Sequence, residues 1–146
     1  MAFRFSLAAV LKYREVLEQR ELAALERAQA EITLVENQIR EAEADLCRLQ
    51  QHRGEELRRG MPSIHLQDAI AQEQAVDSLQ KELTKKQEDL KLKRQQLLKT
   101  YEAARQKRDL LERLRDRRLS DYMREQSKAE QAAIDDLFLS RWKQSQ

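Results

Sequence analysis

The chain has 146 residues, 37% of them charged, with only two glycines and one proline, a composition typical of long helices rather than of an ordinary globular domain. Its 28 basic and 26 acidic residues nearly balance, which argues against a dedicated nucleic-acid binder. No apolar run approaches the roughly 20 residues that a membrane-spanning helix needs, so the sequence predicts no transmembrane segment. The single cysteine, Cys47, cannot form an internal disulfide and favours a reducing cytoplasm.

The chain opens on a dense apolar stretch, "FRFSLAAVLKYREVLEQRE" at residues 3–21. Lys12 ends the apolar run too early for a signal peptide. Ser6 suits the N-cap of a helix, and Phe5 before it can pack on Val10 as a hydrophobic staple. The stretch therefore predicts a capped helix that begins near residue 6.

Apolar residues then recur in steps of three and four, which predicts a helix over about residues 6–53 with one heptad seam. This periodicity also argues against disorder, the competing interpretation of so polar a chain. The seam consists of Leu25, Ala28, Ile32, Val35, Ile39, Ala42, Leu46 and Leu49.

Both glycines and the only proline fall close together, at Gly54, Gly60 and Pro62. Glycine relaxes the backbone, and proline disfavours helix at the residue before it. Ser63 can cap a second helix. The sequence therefore predicts a turn over about residues 54–63 between two helices.

The second helix is predicted over about residues 64–140, and two rows of residues spaced by seven define its expected seam. One row is Val76, Leu83, Leu90, Leu97, Ala104 and Leu111; the companion row is Leu79, Lys86, Lys93, Thr100, Lys107 and Leu114. The lysines of the companion row can cover apolar surface with their stems while the ammonium groups reach water.

These elements predict an all-α fold: a single coiled-coil domain over residues 1–146, in which two long helices form an antiparallel hairpin. The expected register pairs Ala28 with Leu90, Val35 with Leu83 and Ala42 with Val76. The second helix is longer, so its end overhangs and exposes apolar residues that suit a partner. A parallel homodimer, the alternative arrangement, would not tolerate the glycines and proline in mid-helix.

No catalytic, cofactor-binding or metal-binding constellation is present in the sequence, so no enzymatic activity is predicted. Two glycines inside one turn cannot form a phosphate loop, and His52 and His65 lack nearby ligand partners. The stretch "RQKRDLLERLRDRR" at residues 105–118 holds seven basic and three acidic residues. It suits a solvated helix face as well as it suits an acidic protein partner or nucleic acid.

Two stretches resemble the FliJ family of flagellar export proteins. "FRFSLAAVLKYREVLEQRELAALERAQAEI" is similar to the family's N-terminal pattern, and "EQAAIDDLFLSRW" is similar to its closing pattern. The resemblance spans essentially the whole chain. It implies a cytoplasmic component of the flagellar type III export apparatus, peripheral at the inner membrane, that resembles the stalk of a rotary ATPase and serves flagellum biogenesis and motility.

The resemblance implies three kinds of partner: the hexameric export ATPase, the cytoplasmic domain of the export gate, and export chaperones. The residues expected to face the ATPase are Phe3, Phe5, Leu7, Leu137, Phe138, Arg141 and Trp142, with Arg115, Arg117 and Arg118 of the basic run facing acidic loops of the ring. The residues expected to contact the gate are Ile70, Val76, Leu79 and Leu83. Within that segment the chain departs from the family pattern, because Gln72 and Glu73 stand where a bulky apolar residue is expected.

Two other functions remain open from the sequence. The stalk proteins of virulence-type secretion systems share the expected architecture. A generic coiled-coil scaffold, or a nucleic-acid adaptor that uses residues 81–118, is the alternative from another class. Steep salt dependence of DNA binding would distinguish the adaptor.

Overall fold

Two helices make up nearly all of the computed structural model, which describes residues 2–145. Helix α1 spans Ala8–Arg59 and helix α2 spans Ser63–Gln144. No strand occurs among the described residues. The fold is therefore all-α, with a second helix much longer than the first, as the sequence predicts.

The link between the helices is shorter than the sequence predicts. Helix α1 continues through Gly54 to Arg59, so only residues 60–62 separate it from α2. A glycine inside a helix costs only about 1 kcal/mol, which is too little to end a helix that its neighbours stabilise. Gly60 ends α1 instead, because its φ of 88° is a left-handed conformation that glycine adopts without strain.

The chain divides into two compact units. Unit 1 consists of Met1–Arg20 and Glu102–Gln146, and unit 2 of Glu21–Tyr101. Each unit contains a segment of α1 packed on a segment of α2. The pairing is antiparallel in both, because contacts further along α2 reach residues further back in α1.

The apolar core of unit 2 is narrow and lies on α1. Ala28, Ile32, Val35 and Ala42 are at most 3% exposed. These four belong to the predicted seam of α1, which is thereby confirmed, and the other seam residues are half-buried. Helix α2 contains no fully buried residue. This asymmetry follows from side-chain size, since short side chains of α1 are covered by long ones of α2 whose ends reach solvent.

Of the two rows predicted to form the seam of α2, the companion row is mostly exposed, and a different row is half-buried in its place. In that companion row Leu79, Lys86, Lys93, Thr100 and Lys107 are exposed, and Leu114 alone is half-buried. A polar row is half-buried instead: Glu73, Gln80, Gln87, Arg94, Tyr101, Arg108 and Arg115, each seven residues after the last. The first predicted row, from Val76 to Leu111, is half-buried as expected.

The polar row of α2 is hydrogen-bonded to α1 at regular intervals in unit 2. Gln80 Nε2 donates to Glu43 Oε1 at 3.3 Å, and Gln87 Nε2 donates to Glu36 Oε1 at 3.3 Å. The next step repeats the pattern, with a bond of 2.8 Å from Arg94 Nη1 to Gln29 Oε1. Long polar side chains thus occupy seam positions because each reaches a polar partner beside the core.

The hydrogen bonds join each α1 residue to a residue about five positions further along α2 than the predicted register gives, which is more than one helical turn. Glu43, which follows Ala42, bonds to Gln80, whereas the expected register pairs Ala42 with Val76. The shorter link explains the displacement, because a turn centred closer to α2 moves every antiparallel pair in the same direction.

Candidate partner-binding sites

A buried ion-pair network joins α1 and α2 in unit 1. Arg108 Nε forms an ion pair with Glu18 Oε2 of α1, and Arg108 Nη1 lies 2.5 Å from Glu112 Oε2 on its own helix. The side chains of Arg108 and Glu18 are only 17% and 10% exposed. Little water therefore weakens this interaction, which contributes to the pairing of the two helices.

The charge of Arg108 is secured mainly by the carboxylates of Glu18 and Glu112. Burial by itself lowers the pKa of this guanidinium, but hydrogen bonds to Glu18 and Glu112, and the negative charges of both, raise the pKa above its ordinary value. Arg108 is therefore a permanently charged structural residue. In the sequence it stands out only as one member of the basic run at residues 105–118.

The segment before α1 folds onto α2 and brings three of the predicted ATPase-facing residues together. The rings of Phe3 and Tyr122 are 5.5 Å apart, and the guanidinium of Arg118 lies 5.6 Å from the centre of the Phe5 ring. Arg118 Nη1 also donates a hydrogen bond of 2.8 Å to Ser6 Oγ. We call this set of five residues the N-terminal cluster. Its phenylalanines are half-buried by contacts within the chain.

Four other predicted ATPase-facing residues lie in the last turns of α2. Leu137, Phe138 and Trp142 are 60%, 69% and 52% exposed, and Arg141 is exposed as well. Fifteen helical residues separate Tyr122 from Leu137, a rise of about 22 Å. The predicted residues therefore form two surfaces rather than one, the N-terminal cluster and this C-terminal surface.

The remaining predicted ATPase-facing residues differ in exposure. Leu7 is half-buried just before α1. Arg115 is half-buried and lies 3.6 Å from Asp116, whereas Arg117 is exposed. Part of the positive charge of the basic run at residues 105–118 is thus already paired with acidic side chains of the same run.

Three of the four predicted gate-contacting residues lie on one face of unit 2. Val76, Leu79 and Leu83 line a groove of about 220 Å³. Ile70 instead lines a different cavity, with Leu46 of α1. The structure therefore separates Ile70 from the other three.

Gln72 and Glu73, the two polar residues in the segment expected to contact the gate, have different surroundings. Glu73 belongs to the half-buried polar row, and its Oε2 accepts a hydrogen bond of 2.8 Å from Arg53 Nη1. Gln72 lines a groove of about 510 Å³ that adjoins the one described above. Glu73 thus serves the contact between the helices, while Gln72 faces the surface.

Within residues 2–145 no group of three or more histidine, cysteine or acidic side chains is arranged to hold a metal ion. The thiol of Cys47 is exposed and free. Among the same residues no helix is long and apolar enough to cross a membrane.

The fold and these surfaces define an antiparallel two-helix coiled-coil protein that exposes apolar side chains on α2. A family model described as "Flagellar FliJ protein" matches residues 3–146, so the chain belongs to the FliJ family. The predicted resemblance is confirmed, and the protein is a flagellar export-related component of a non-enzymatic family. No curated protein and no solved structure matches the chain significantly.

Proposed function

We propose that this protein is a stalk-like subunit of the flagellar type III export apparatus. It binds the hexameric export ATPase through unit 1 and the export gate through the first part of α2, and it escorts the chaperones of export substrates. It acts on the cytoplasmic side of the inner membrane as a peripheral component.

The observation that carries the proposal is the C-terminal surface of α2. Large apolar side chains are rarely exposed in a group without a partner to cover them. Phe138 and Trp142 are one turn apart on the helix and more than half exposed. Aromatic side chains of this kind dominate the energetics of many protein–protein interfaces.

The N-terminal cluster has a second role in this proposal. Phe3 and Phe5 already contact Tyr122 and Arg118, so they anchor the segment before α1 and keep part of their rings available to the ring ATPase. The exposed Arg117 supplies positive charge close by, which complements acidic loops on the ATPase and speeds encounter.

The decisive experiment measures binding to the hexameric export ATPase and stimulation of its ATP hydrolysis. The variant Phe138→Asp/Trp142→Asp removes the apolar character of the C-terminal surface. We expect binding at least about 30-fold weaker, since hot-spot residues contribute 2 kcal/mol or more, and a matching loss of stimulation.

The control is Leu92→Asp, which places the same charge on an exposed leucine of α2 that lies in unit 2 and is 60% exposed. It should bind and stimulate the ATPase as the unaltered chain does. Equal behaviour of the two variants would remove the C-terminal surface from the proposal.

A further inference from the structure

We infer that the end of unit 2 at which the two helices are linked contacts a membrane surface that contains anionic phospholipids. We call this end the hairpin tip and define it as residues 57–66, which comprise the last residues of α1, the link at residues 60–62 and the first turn of α2. The inference rests on one part of the proposed function, the peripheral placement at the membrane, and assigns it to particular residues and to a lipid chemistry.

Large aliphatic side chains are exposed at the hairpin tip. Ile64 is 69% exposed and Leu57 is 48% exposed, and Met61 between them is half-buried. Because the helix pair ends here, neither helix continues far enough to cover these side chains. Apolar side chains exposed as a group indicate a partner that covers them.

Positive charge accompanies the apolar side chains of the tip. Arg58 and Arg59 are exposed, and neither forms an ion pair within residues 2–145. The stretch "LRRGMPSIHLQ" at residues 57–67 contains no aspartate or glutamate. The first turn of α2 has no acidic residue either, so the partial positive charge of that helix end is not offset there. The tip therefore attracts anionic groups such as lipid phosphates.

Distances along the helix axes fit a shallow insertion of the tip. Leu57 lies three residues before Gly60, and Ile64 lies two residues after Pro62, so both are within about 5 Å of the link. Amphipathic segments bury their apolar side by roughly 5–10 Å at the boundary between headgroups and acyl chains. An insertion of about 5 Å would therefore cover both aliphatic side chains.

The nearest acidic side chains lie further from the link. Glu56, Glu55 and Asp68 are about 6–9 Å from it along the helix axes. The charge of Glu56 is also shared, since its Oε1 lies 3.9 Å from His52 Nε2. A shallow insertion thus leaves the carboxylates on the aqueous side of the headgroups, while the arginines of the tip reach the phosphates.

A comparison with the C-terminal surface favours lipid as the partner of the tip. The C-terminal surface also exposes large apolar side chains, but the exposed Asp135 and Asp136 directly precede Leu137 and Phe138. The negative potential of an anionic membrane repels such carboxylates and attracts arginines. The C-terminal surface therefore suits a protein partner, and the tip suits an anionic membrane surface.

Binding through the tip alone is expected to be weak and reversible. A single small apolar group gives only marginal attachment to a membrane, and a stable attachment needs a second signal. The tip therefore orients a protein that other contacts keep at the membrane.

The first test measures co-sedimentation of the full chain with vesicles made of phosphatidylglycerol and phosphatidylcholine in equal parts. Leu57→Asp/Ile64→Asp should weaken vesicle binding at least about tenfold, because two aliphatic side chains no longer leave water. The helicity of this variant should be unchanged by circular dichroism, since both side chains are already exposed.

The matched control for this variant is Leu34→Asp/Leu92→Asp. It also places one new charge on each helix of unit 2, at leucines that are both 60% exposed and lie away from the tip. Its vesicle binding should stay within about threefold of the value for the tip-intact chain, since unspecific charge effects of two added acids are small at moderate salt.

The second test addresses the charge of the tip. Arg58→Gln/Arg59→Gln should weaken binding to the same vesicles about tenfold to thirtyfold at low ionic strength, and less as salt is added. Vesicles of phosphatidylcholine alone should bind the unaltered chain more weakly. The control Lys85→Gln/Lys86→Gln removes the same charge from exposed lysines of α2 and should have a much smaller effect.

The third test locates the contact directly. In a Trp142→Phe background, Ile64→Trp should shift its fluorescence emission to shorter wavelength when the anionic vesicles are added, because the indole leaves water. Leu92→Trp in the same background should show no shift. A purely structural role of Ile64 would not produce this difference.

The outcomes separate this inference from the rest of the proposed function. A chain that stimulates the export ATPase but does not bind the anionic vesicles overturns the membrane contact alone, and a protein is then the partner of the tip. Vesicle binding that the lysine control weakens as much as the arginine variant does, or that leaves the Ile64→Trp emission unchanged, also overturns it.

Discussion

In both units a segment of α1 packs on a segment of α2, but the two units differ in the kind of contact that joins these segments. In unit 2 the fully buried side chains are apolar: Ala28, Ile32, Val35 and Ala42. In unit 1 the buried residues are Leu11 and Glu18, and Glu18 is paired with Arg108. The two helices can therefore be held in contact either by apolar packing or by a buried ion pair with few apolar neighbours.

The difference matters because the two kinds of contact fail in different ways. An apolar core loses free energy in proportion to the volume that a substitution removes. A buried ion pair adds little net stability over an apolar pair, but removing one partner leaves the other charge buried and uncompensated. Unit 2 should respond to changes of size, and unit 1 to changes of charge.

The largest expected effect is in the core of unit 2. Ile32→Ala removes a side chain that is 0% exposed and should lower the free energy of unfolding by about 3 kcal/mol. Urea unfolding followed by circular dichroism measures the change. Leu34→Ala, at a side chain 60% exposed, should stay within about 0.5 kcal/mol of the unaltered protein. Equal losses in the free energy of unfolding would show that buried and exposed positions of α1 in unit 2 contribute alike to stability.

In unit 1 the corresponding test removes a charge. Glu18→Ala leaves Arg108 with carboxylates of its own helix alone, those of Glu112 and Asp109, and should cost about 2 kcal/mol in the free energy of unfolding. Glu125→Ala, which alters an exposed acid of α2, is the control and should have almost no effect. The double variant Glu18→Leu/Arg108→Leu should recover most of the loss. If the double variant stays as unstable as Glu18→Ala, the ion pair contributes stability that apolar side chains at the same positions cannot replace.

A smaller effect with a pH signature is expected from Arg108→Lys. Lysine loses the planar fork of arginine, which should cost about 1 kcal/mol at neutral pH. The raised pKa of Arg108 means that its contribution is complete below the ordinary arginine pKa and is lost only as pH rises through the higher folded-state value. A lysine here, beside the same carboxylates, keeps its charge up to about the ordinary lysine pKa of 10.4 and loses it above that value, so the deficit of the variant should widen as the pH rises above about 10. A stability deficit that does not change with pH would indicate that the variant loses the geometry of the guanidinium but not its charge.

Alanine substitution at the two glycines of unit 2 is expected to change the free energy of unfolding in opposite directions. Gly60→Ala forces a side chain into a left-handed conformation and should cost about 1 kcal/mol. Gly54→Ala lies inside α1, where an added Cβ meets nothing within 4 Å, and should stabilise by about 0.5–1 kcal/mol. Thermal unfolding of both variants measures the difference. A destabilising Gly54→Ala would place the end of α1 nearer to residue 54.

The smallest expected effect concerns the N-terminal cluster of unit 1. A double-mutant cycle of Phe3→Leu and Tyr122→Leu should give a coupling free energy of about 0.5–1 kcal/mol, because the rings are in contact. Tyr13→Leu paired with Phe3→Leu is the control, since Tyr13 is 59% exposed on α1. A coupling near zero in both cycles would mean that apolar burial alone holds the segment before α1.

The sequence allowed the seam of α1 to be predicted, because its apolar residues recur in steps of three and four without interruption. The seam of α2 was only half predicted. Leu79 and Leu114 made the companion row look apolar, whereas the observed row contains Gln80, Gln87 and Arg94. A search for apolar periodicity misses such a row, although its regular spacing of seven is visible in the sequence.

The roles of the candidate site residues stay predictions, but their surroundings can be compared with what the sequence indicated. The exposed residues near the end of α2 followed from the excess length of that helix. The contacts of Phe3 and Phe5 could not be predicted, because residues before the start of α1 have no helical periodicity that would assign them a face. Tyr122 was missed for this reason, and Arg118 was predicted as a site residue but without its contact to Phe5. The separation of Ile70 from Leu79 required the register.

The absence of any fully buried residue on α2 bears on how this protein tolerates mutation. Random changes to α1 strike closely fitted positions such as Ile32 and Val35, whereas changes to α2 fall where one side of nearly every side chain is in water. The longer helix can therefore drift in sequence at small cost to folding. That freedom suits a surface that has to follow the evolution of other proteins.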